Sequence, residues 1–583
     1  MGCPVGLCSG SQETMMGLPP DRQPYRLCLM VALGWLAGSV VVPPSARADT
    51  LTVGTCVECI ATIQAAIDSA RHGDEIAVES GVYFERLHIY PSAEDSFYIT
   101  LRAEDDTDRP RIEHAIGEPS GEPTEIWENY AVVEIHNDMN DGPESRCRDM
   151  RVTIENLEIV ATDDYTGALS VWTAMDDVGQ EYNTGLFLRH NYFQAQRVLI
   201  PPRVRGAGAL WIGRRPDYTC LPEWRECLEY QSLKWGAIED NEIITINGGD
   251  PNRYLSDGIS TFHFVGKIEN NRVTGTAEGV HMSFARLGDP VPFFLQEPPW
   301  DEYASTIIQH NLLYCNEQTG IHFTHGSLGT VRNNIVARTW YQTNSDASGI
   351  ASGRSAGASN SMGMWGSFDI EAQGDGGRVP TIVDVFNNTV DWSEGYGIAM
   401  DDDNNAVLLG NIVSRTRDVP PLFAEAQTAG IAAIHGAFNP DSLYTDYNVL
   451  WGNREKGQIA DYSPVGVYPA GVEGVNDVTE SDLGGSNPHY WRGSIANMTH
   501  SYMLKTYDPP HSCYGATSSP DSVSRAIDAG PTNPIYNDVQ PPGLGGLRND
   551  AGAYGGPFAS WGDEGCLEYK VGNNLACCTN SCQ

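Results

Sequence analysis

Two histidines sit in matching phrases, Gly279-Val280-His281 and Gly320-Ile321-His322, and two carboxylates, Asp257 and Glu278, stand directly before the glycines that open such phrases. Imidazole titrates near neutral pH, so a histidine pair beside carboxylates is equipped for general acid–base catalysis. Trp211 and Ser260 occupy the position that the histidines hold in their own phrases, and Arg214, Arg215 and Trp300 follow in the segments between them. Flat aromatic faces beside charged donors suit sugar rings, whose C–H faces stack while hydroxyls or carboxylates are hydrogen-bonded. Farther along, Asp401-Asp402-Asp403-Asn404-Asn405 offers oxygen ligands of the kind that Ca2+ takes, and no metal-ligand set is assigned apart from it.

The elements that must position these groups show themselves as a repeat. Asn recurs among aliphatic residues in Ile154-Glu-Asn156-Leu, Leu188-Arg-His-Asn191, Ile238-Glu-Asp-Asn241, Ile268-Glu-Asn-Asn271, Ile308-Gln-His-Asn311, Val331-Arg-Asn-Asn334, Val385-Phe-Asn-Asn388, Leu409-Gly-Asn411 and Asp446-Tyr-Asn448. Between these lies Gly followed by alternating apolar residues, as in Asp257-Gly258-Ile-Ser, Tyr396-Gly397-Ile-Ala and Ala429-Gly430-Ile-Ala. The shortest returns, Asn311 to Asn334 and Asn388 to Asn411, are 23 residues. Apolar residues alternating with period two and bounded by Asn and Gly make short strands. Strands recurring once per ~20–25 residues make stacked coils, none able to bury its apolar face alone. The repeated Asn fits a turn ladder in which side-chain amides hydrogen-bond up and down the stack.

These phrases resemble the right-handed parallel β-helix of the pectin-lyase-like superfamily. The opening, Thr62-Ile-Gln-Ala-Ala-Ile-Asp-Ser-Ala-Arg-His-Gly73-Asp74, is similar to the start of such proteins, where a short amphipathic helix (Ile63, Ala66, Ile67, Ala70) covers the open end of the stack. Ala526-Ile-Asp528-Ala-Gly530 and Arg548-Asn-Asp550-Ala-Gly-Ala-Tyr554-Gly-Gly are similar to the closing segment of many bacterial members. The resemblance covers residues 50–560 and implies an all-β fold. It leaves function open, because lyases, hydrolases, epimerases, adhesins and phage spikes share this architecture. Polysaccharide lyases of this kind often use Arg or Lys as base, and Arg286 is the nearest candidate here. Ser256-Asp257-Gly258-Ile resembles the Asn-Thr-Asp-Gly-Ile coil of polygalacturonases. The place of their paired Asp holds Glu278-Gly279 and no Arg-Ile-Lys follows, which argues against that activity.

If Leu210, Ile259, Val280 and Ile321 point inward, then Trp211, Ser260, His281 and His322 point outward and form one column on coils ~4.8 Å apart. Gly208 to Asn241 spans 33 residues and Gly279 to Asn311 spans 32, where compact coils use 13 or 14. These insertions predict loops walling a groove along the column. The walls carry seven basic residues against four acidic ones over residues 197–234, with Trp211, Tyr218, Trp224 and Tyr230 among them. Two functions fit: a carbohydrate-active enzyme, lyase or hydrolase, and a non-catalytic extracellular binding or surface protein that uses the same groove.

Composition narrows the setting. The 583 residues carry 36 Lys+Arg against 76 Asp+Glu, a formal charge of −40, which repels nucleic acid and anionic lipid. It also disfavours a bare polyanion unless a cation or a local basic patch intervenes. Arg22 and Arg26 precede the apolar run Leu27 to Val42, and Ala46-Arg47-Ala48 follows, the pattern of a secretory signal peptide over residues 1–48. The remainder reads as a β-helix domain with its caps over 49–560 and a Cys-rich tail over 561–583, expected to be secreted and monomeric with no stable membrane span. Eleven cysteines remain after residue 48, among them Cys56, Cys59, Cys566, Cys577, Cys578 and Cys582. In an exported chain they predict disulfides at both ends rather than zinc ligands.

Overall fold

In the computed structural model, three long parallel sheets form a parallel β-helix. The structure describes residues 48–559 with interruptions, the longer ones being 115–129, 138–148, 174–182, 197–207, 214–232, 247–256, 284–305, 340–361, 367–380, 416–428, 435–442, 463–475, 479–492 and 507–514. Residues 1–47, 560–583 and several shorter segments are likewise not described, so the expected leader and the Cys-rich tail lie outside it.

Among the described residues the first sheet has twelve strands, from Thr50–Val53 to Leu443–Asp446, and the second has eleven, from Leu87–Ile89 to Ile459–Tyr462. The third also has eleven, from Val82–Tyr83 to Val449–Trp451. Each successive strand of a sheet comes from the next coil. Alternation sets the register: Phe97, Ile99 and Leu101 point into the core while Tyr98, Thr100 and Arg102 face out. The interior is one continuous column of Ile, Val, Leu and Phe, from Val53 and Ile76 at one end to Ile431 and Leu450 at the other.

The repeated Asn builds the expected ladder. Asn334 shows a typical rung: its Nδ2 donates to Ile308 O at 2.8 Å and Asn388 Oδ1 at 3.0 Å, and its Oδ1 accepts from Asn311 N at 2.9 Å and Asn311 Nδ2 at 3.0 Å. Rungs run from Asn191 through Asn448, where Asp477 accepts the last pair. The residue before each rung turns the chain in the left-handed region: His190, Asp240, Asn270, His310, Asn333 and Asn387 have φ between 51° and 57°. Short polar side chains and His tolerate this conformation best. The sequence phrase is one residue out of step at its first occurrence. Asn156 is the left-handed residue there (φ 57°) and accepts from Arg109 Nε, while Leu157 takes the rung position and only its backbone N donates, to Asn191 Oδ1 at 3.0 Å.

The helix Ile63–Ser69 presents Ile63, Ala66 and Ile67 to the first coil, with Thr62 Oγ1 capping Ala65 N at 3.2 Å. Covering this end removes an edge that would otherwise pair with another chain. Cys56 and Cys59 are bonded to each other, and Cys315 is also in a disulfide. Cys220, Cys227 and the C-terminal cysteines lie outside the described residues.

The closing segment does more than end the stack. Its described residues between 523 and 559 lie against the side of the stack: Asn387 Nδ2 donates to Asn549 Oδ1 at 2.7 Å, Asn333 Nδ2 to Gly555 O at 2.7 Å, and Gly552 N to Gly410 O at 2.7 Å. Ala526, Leu544, Ala551, Ala553 and Tyr554 pack with Leu312, Ile335, Ile412 and Val449 of the third sheet. This docking buries carboxylates. Asp384 is raised to about 8 by burial, and Asp538 to about 7 by burial, with backbone donors only partly opposing it. Asp550 is also raised, by burial and then by the neighbouring Asp538 charge. These folded values lie above those of an unfolded aspartate, so the stabilisation is complete below pH ~4 and is lost as pH rises through ~7–8. The melting temperature should therefore be higher near pH ~5 than near pH ~9 by about 5 °C or more. Asp384→Asn should flatten that slope. Calorimetry showing stability that rises over the interval would contradict the assignment.

Candidate active site on the second sheet

The second sheet carries the predicted column in register. Leu210, Ile259, Val280 and Ile321 pair in succession and are buried, and Trp211, Ser260, His281 and His322 pair in succession one residue later. Glycines set the start of these strands. A Cβ at Gly279 would lie 2.4 Å from Gly320 O and 2.4 Å from Leu313 Cδ2, so only glycine lets the coils approach here. That close approach fixes where Glu278 and His281 leave the backbone.

Three coils bring four ionisable groups together. Glu278 Oε1 and Oε2 each lie 3.1 Å from His322 Nδ1, and Oε2 lies 3.2 Å from His281 Nδ1. Asp257 Oδ2 is 3.9 Å from the same His281 Nδ1. The imidazole rings stack with centroids 4.9 Å apart and planes 17° apart. His281 Nε2 lies 3.0 Å from Ser283 Oγ, and Phe262 sits edge-on to the His281 ring. All four groups are mostly buried, the His281 side chain being the most exposed at 20%. Burial pushes the Asp257 carboxyl up, and the neighbouring His281 offsets only part of this. Burial also acts against ionised Glu278, but the His322 and His281 charges outweigh it and hold that carboxyl at about 2. Two carboxylates driven in opposite directions beside two imidazoles can hold and move protons.

The column continues N-terminally, where sequence reasoning did not extend it. Ser170, Glu134 and His88 align in turn with Trp211. Glu134 contacts Arg86, lies 3.2 Å from His88 Nδ1 and 3.4 Å from His136 Nε2, and accepts from Ala131 N at 3.1 Å. Burial opposes its charge, but hydrogen bonds from His136, His88 and Arg86 prevail and hold it well below the usual carboxylate range. Tyr90, His136 and Trp172 stack beside it at 4.8 and 6.3 Å. The signal for this cluster is period-two alternation in Arg86-Leu-His88-Ile-Tyr90 and Glu134-Ile-His136, without the glycine that marked the later coils.

Other expectations fare differently. Trp211 is in the column but is only 5% exposed, its ring 4.9 Å from Phe262, so it presents little face to a ligand as it stands. Ser260 is fully buried. Arg214, Arg215, Arg286 and Trp300 lie outside the described residues, as do both loops expected to wall a groove. So do Asp402, Asp403 and Asn404 of the acidic run expected to hold Ca2+. Among the described residues no helix is long and apolar enough to cross a membrane.

No family model and no curated protein matches the chain. Some solved structures are similar to it at low identity and low TM-score. The Dettilon tailspike protein is 11% identical with a TM-score of 0.32 over 68% of this chain, which spans 57% of the tailspike. The pectate lyase Pel9A is 10% identical with a TM-score of 0.34, over 87% of this chain and 96% of its own. An alginate lyase from Paenibacillus sp. is 13% identical with a TM-score of 0.29, over 61% and 97%. With its three parallel sheets, Asn ladder and capped first coil, the chain is a right-handed parallel β-helix protein.

Proposed function

We propose that this protein is an exported carbohydrate-active enzyme, a lyase or hydrolase, that binds a polysaccharide along the outward face of the second sheet. The observation that carries the reading is the convergence of Asp257, Glu278, His281 and His322 from three successive coils into one contact cluster. A sheet face with coils ~4.8 Å apart matches an extended chain of repeating rings, and the cluster contains the residue types that move protons at a glycosidic bond. Arg286, or the cluster itself, supplies the base. Arg214, Arg215 and Trp300 serve as substrate-binding groups, and Trp211 and Ser260 support the column from within. The protein acts as a monomer, with no nucleic-acid partner, after cleavage behind Ala48.

The test is a polysaccharide panel incubated with exported protein, whose N-terminal sequence is expected to begin at Asp49. New reducing ends without ultraviolet absorbance identify a hydrolase. Reducing ends with absorbance from unsaturated product identify a lyase. Retention on an immobilised glycan without either signal leaves a binding protein and removes the enzyme.

A further inference from the structure

We infer that Glu278, His281 and His322 form a binding site for a divalent transition-metal ion of the zinc or cobalt type, with Asp257 beside it as a fourth ligand or an orienting group. One carboxylate oxygen and two imidazole Nδ1 atoms converge, with 3.1 and 3.2 Å between Glu278 Oε2 and the two nitrogens and all three ligand atoms within 4.8 Å of one another. A tetrahedral ion with bonds of ~2.0–2.2 Å holds its ligand atoms about 3.3–3.6 Å apart, so Glu278 Oε2 already stands near the needed spacing from each nitrogen, and the two nitrogens lie within 4.8 Å of each other. Two imidazoles with one carboxylate select this class of metal; Ca2+ and Mg2+ prefer shells made of oxygen.

The surroundings favour the same occupant. Ser283 Oγ, 3.0 Å from His281 Nε2, can accept a hydrogen bond from Nε2–H and leave Nδ1 as the ligating lone pair. Asp257 adds a second carboxylate within 3.9 Å of that nitrogen. The partly exposed His281 and Glu278 side chains give an ion a route in.

The fold supplies its own control. His88, Glu134 and His136 form a second group with two imidazoles and one carboxylate on the same sheet. There Arg86 contacts the carboxylate that would ligate, placing a permanent cation against an incoming one. The Arg86 charge therefore sets the Glu134 group apart, and the Glu278 group is the metal site.

Metal binding stands independently of the substrate; only what the metal would serve rests on the carbohydrate reading. The experiment uses the full exported chain, stripped with chelator and titrated with Co2+ and Zn2+ by visible spectroscopy and calorimetry. One equivalent should bind with tetrahedral cobalt bands, and Zn2+ should raise the melting temperature. Glu278→Gln and His322→Gln should each weaken binding by about 100-fold or more, while His88→Gln leaves it unchanged. Far-UV circular dichroism checks that each variant is folded, and His281→Gln supplies a further variant if one is not. Absence of a stoichiometric site in wild type, or loss of the site in His88→Gln but not in His322→Gln, overturns the proposal. Turnover with no metal site would refute the metal and keep the enzyme. A metal site with no turnover on any glycan would do the reverse.

Discussion

Replacing His281 and His322 together by Gln should lower turnover of any polysaccharide substrate by about 10²- to 10⁴-fold, the range over which removing positioned proton-transfer groups acts. The two rings stack on adjacent coils and share Glu278, so either alone leaves the other in contact with that carboxylate. The double substitution is the one that dismantles the cluster. Gln keeps a polar side chain of similar reach but cannot titrate. Both residues lie on the outer side of the sheet, while Val280 and Ile321 between the coils carry the core packing. Far-UV circular dichroism and retention on immobilised glycan should therefore change little. Glu242→Gln, on the outer face of the third sheet beside Arg272, serves as the control and should leave turnover as in wild type. Unchanged turnover in the double variant would leave the pair without a catalytic role and move the chemistry to Arg286 or elsewhere.

How much of this was legible in the sequence depends on how local each feature is. His281 and His322 could be aligned because each follows a glycine, Gly279 or Gly320, by two residues, and at Gly279 close approach of the next coil demands that glycine, which leaves a mark at a fixed offset from the outward residue. His88 and Glu134 occupy the same column, but their coils carry Arg86 and Val132 where the later ones carry glycine, so nothing marks the register. The Asn ladder was readable because each rung uses the same amide geometry. Its first rung was misplaced because the coil on which the ladder ends, although not the end of the stack, needs only a backbone donor, and Leu157 supplies that. Trp211 was placed correctly along the strand, yet its burial depends on Phe262 from the next coil, two residues beyond its register partner Ser260. The lateral course of residues 523–559 rests on contacts such as Asn333 to Gly555, which are separated by 222 residues and leave no periodic trace.

Asn334→Ala should be among the most damaging single substitutions in the molecule, although it removes no apolar packing. Asn334 is fully buried. Its loss strands Asn311 N, which donates to its Oδ1, strips Ile308 O and Arg332 O of the donor they share, and takes one acceptor from Asn311 Nδ2, which keeps Ile268 O and Gln309 O. A buried polar group left without a partner costs about 1–3 kcal/mol, so several orphaned together should lower stability by about 3–6 kcal/mol. The damage should also be local. Each coil touches only its neighbours, so stability is approximately a sum of coil and interface contributions, and a broken rung weakens the junction between the 306–314 and 328–337 coils first. Hydrogen exchange should accelerate at the amides of Asn311 and Ile335, whose bonds cross that junction, and stay slow at Ile99 and Leu101 near the capped end. Asn191→Ala, at the rung where the ladder begins, strands fewer groups: Leu157 N loses its acceptor and Ile154 O its donor. That variant should cost less, and the two denaturation midpoints should differ accordingly. Equal midpoints, or an Asn334→Ala protein within ~1 kcal/mol of wild type, would mean that strand pairing and the apolar column hold the coils in register and that the amide ladder follows from the stacking rather than directing it.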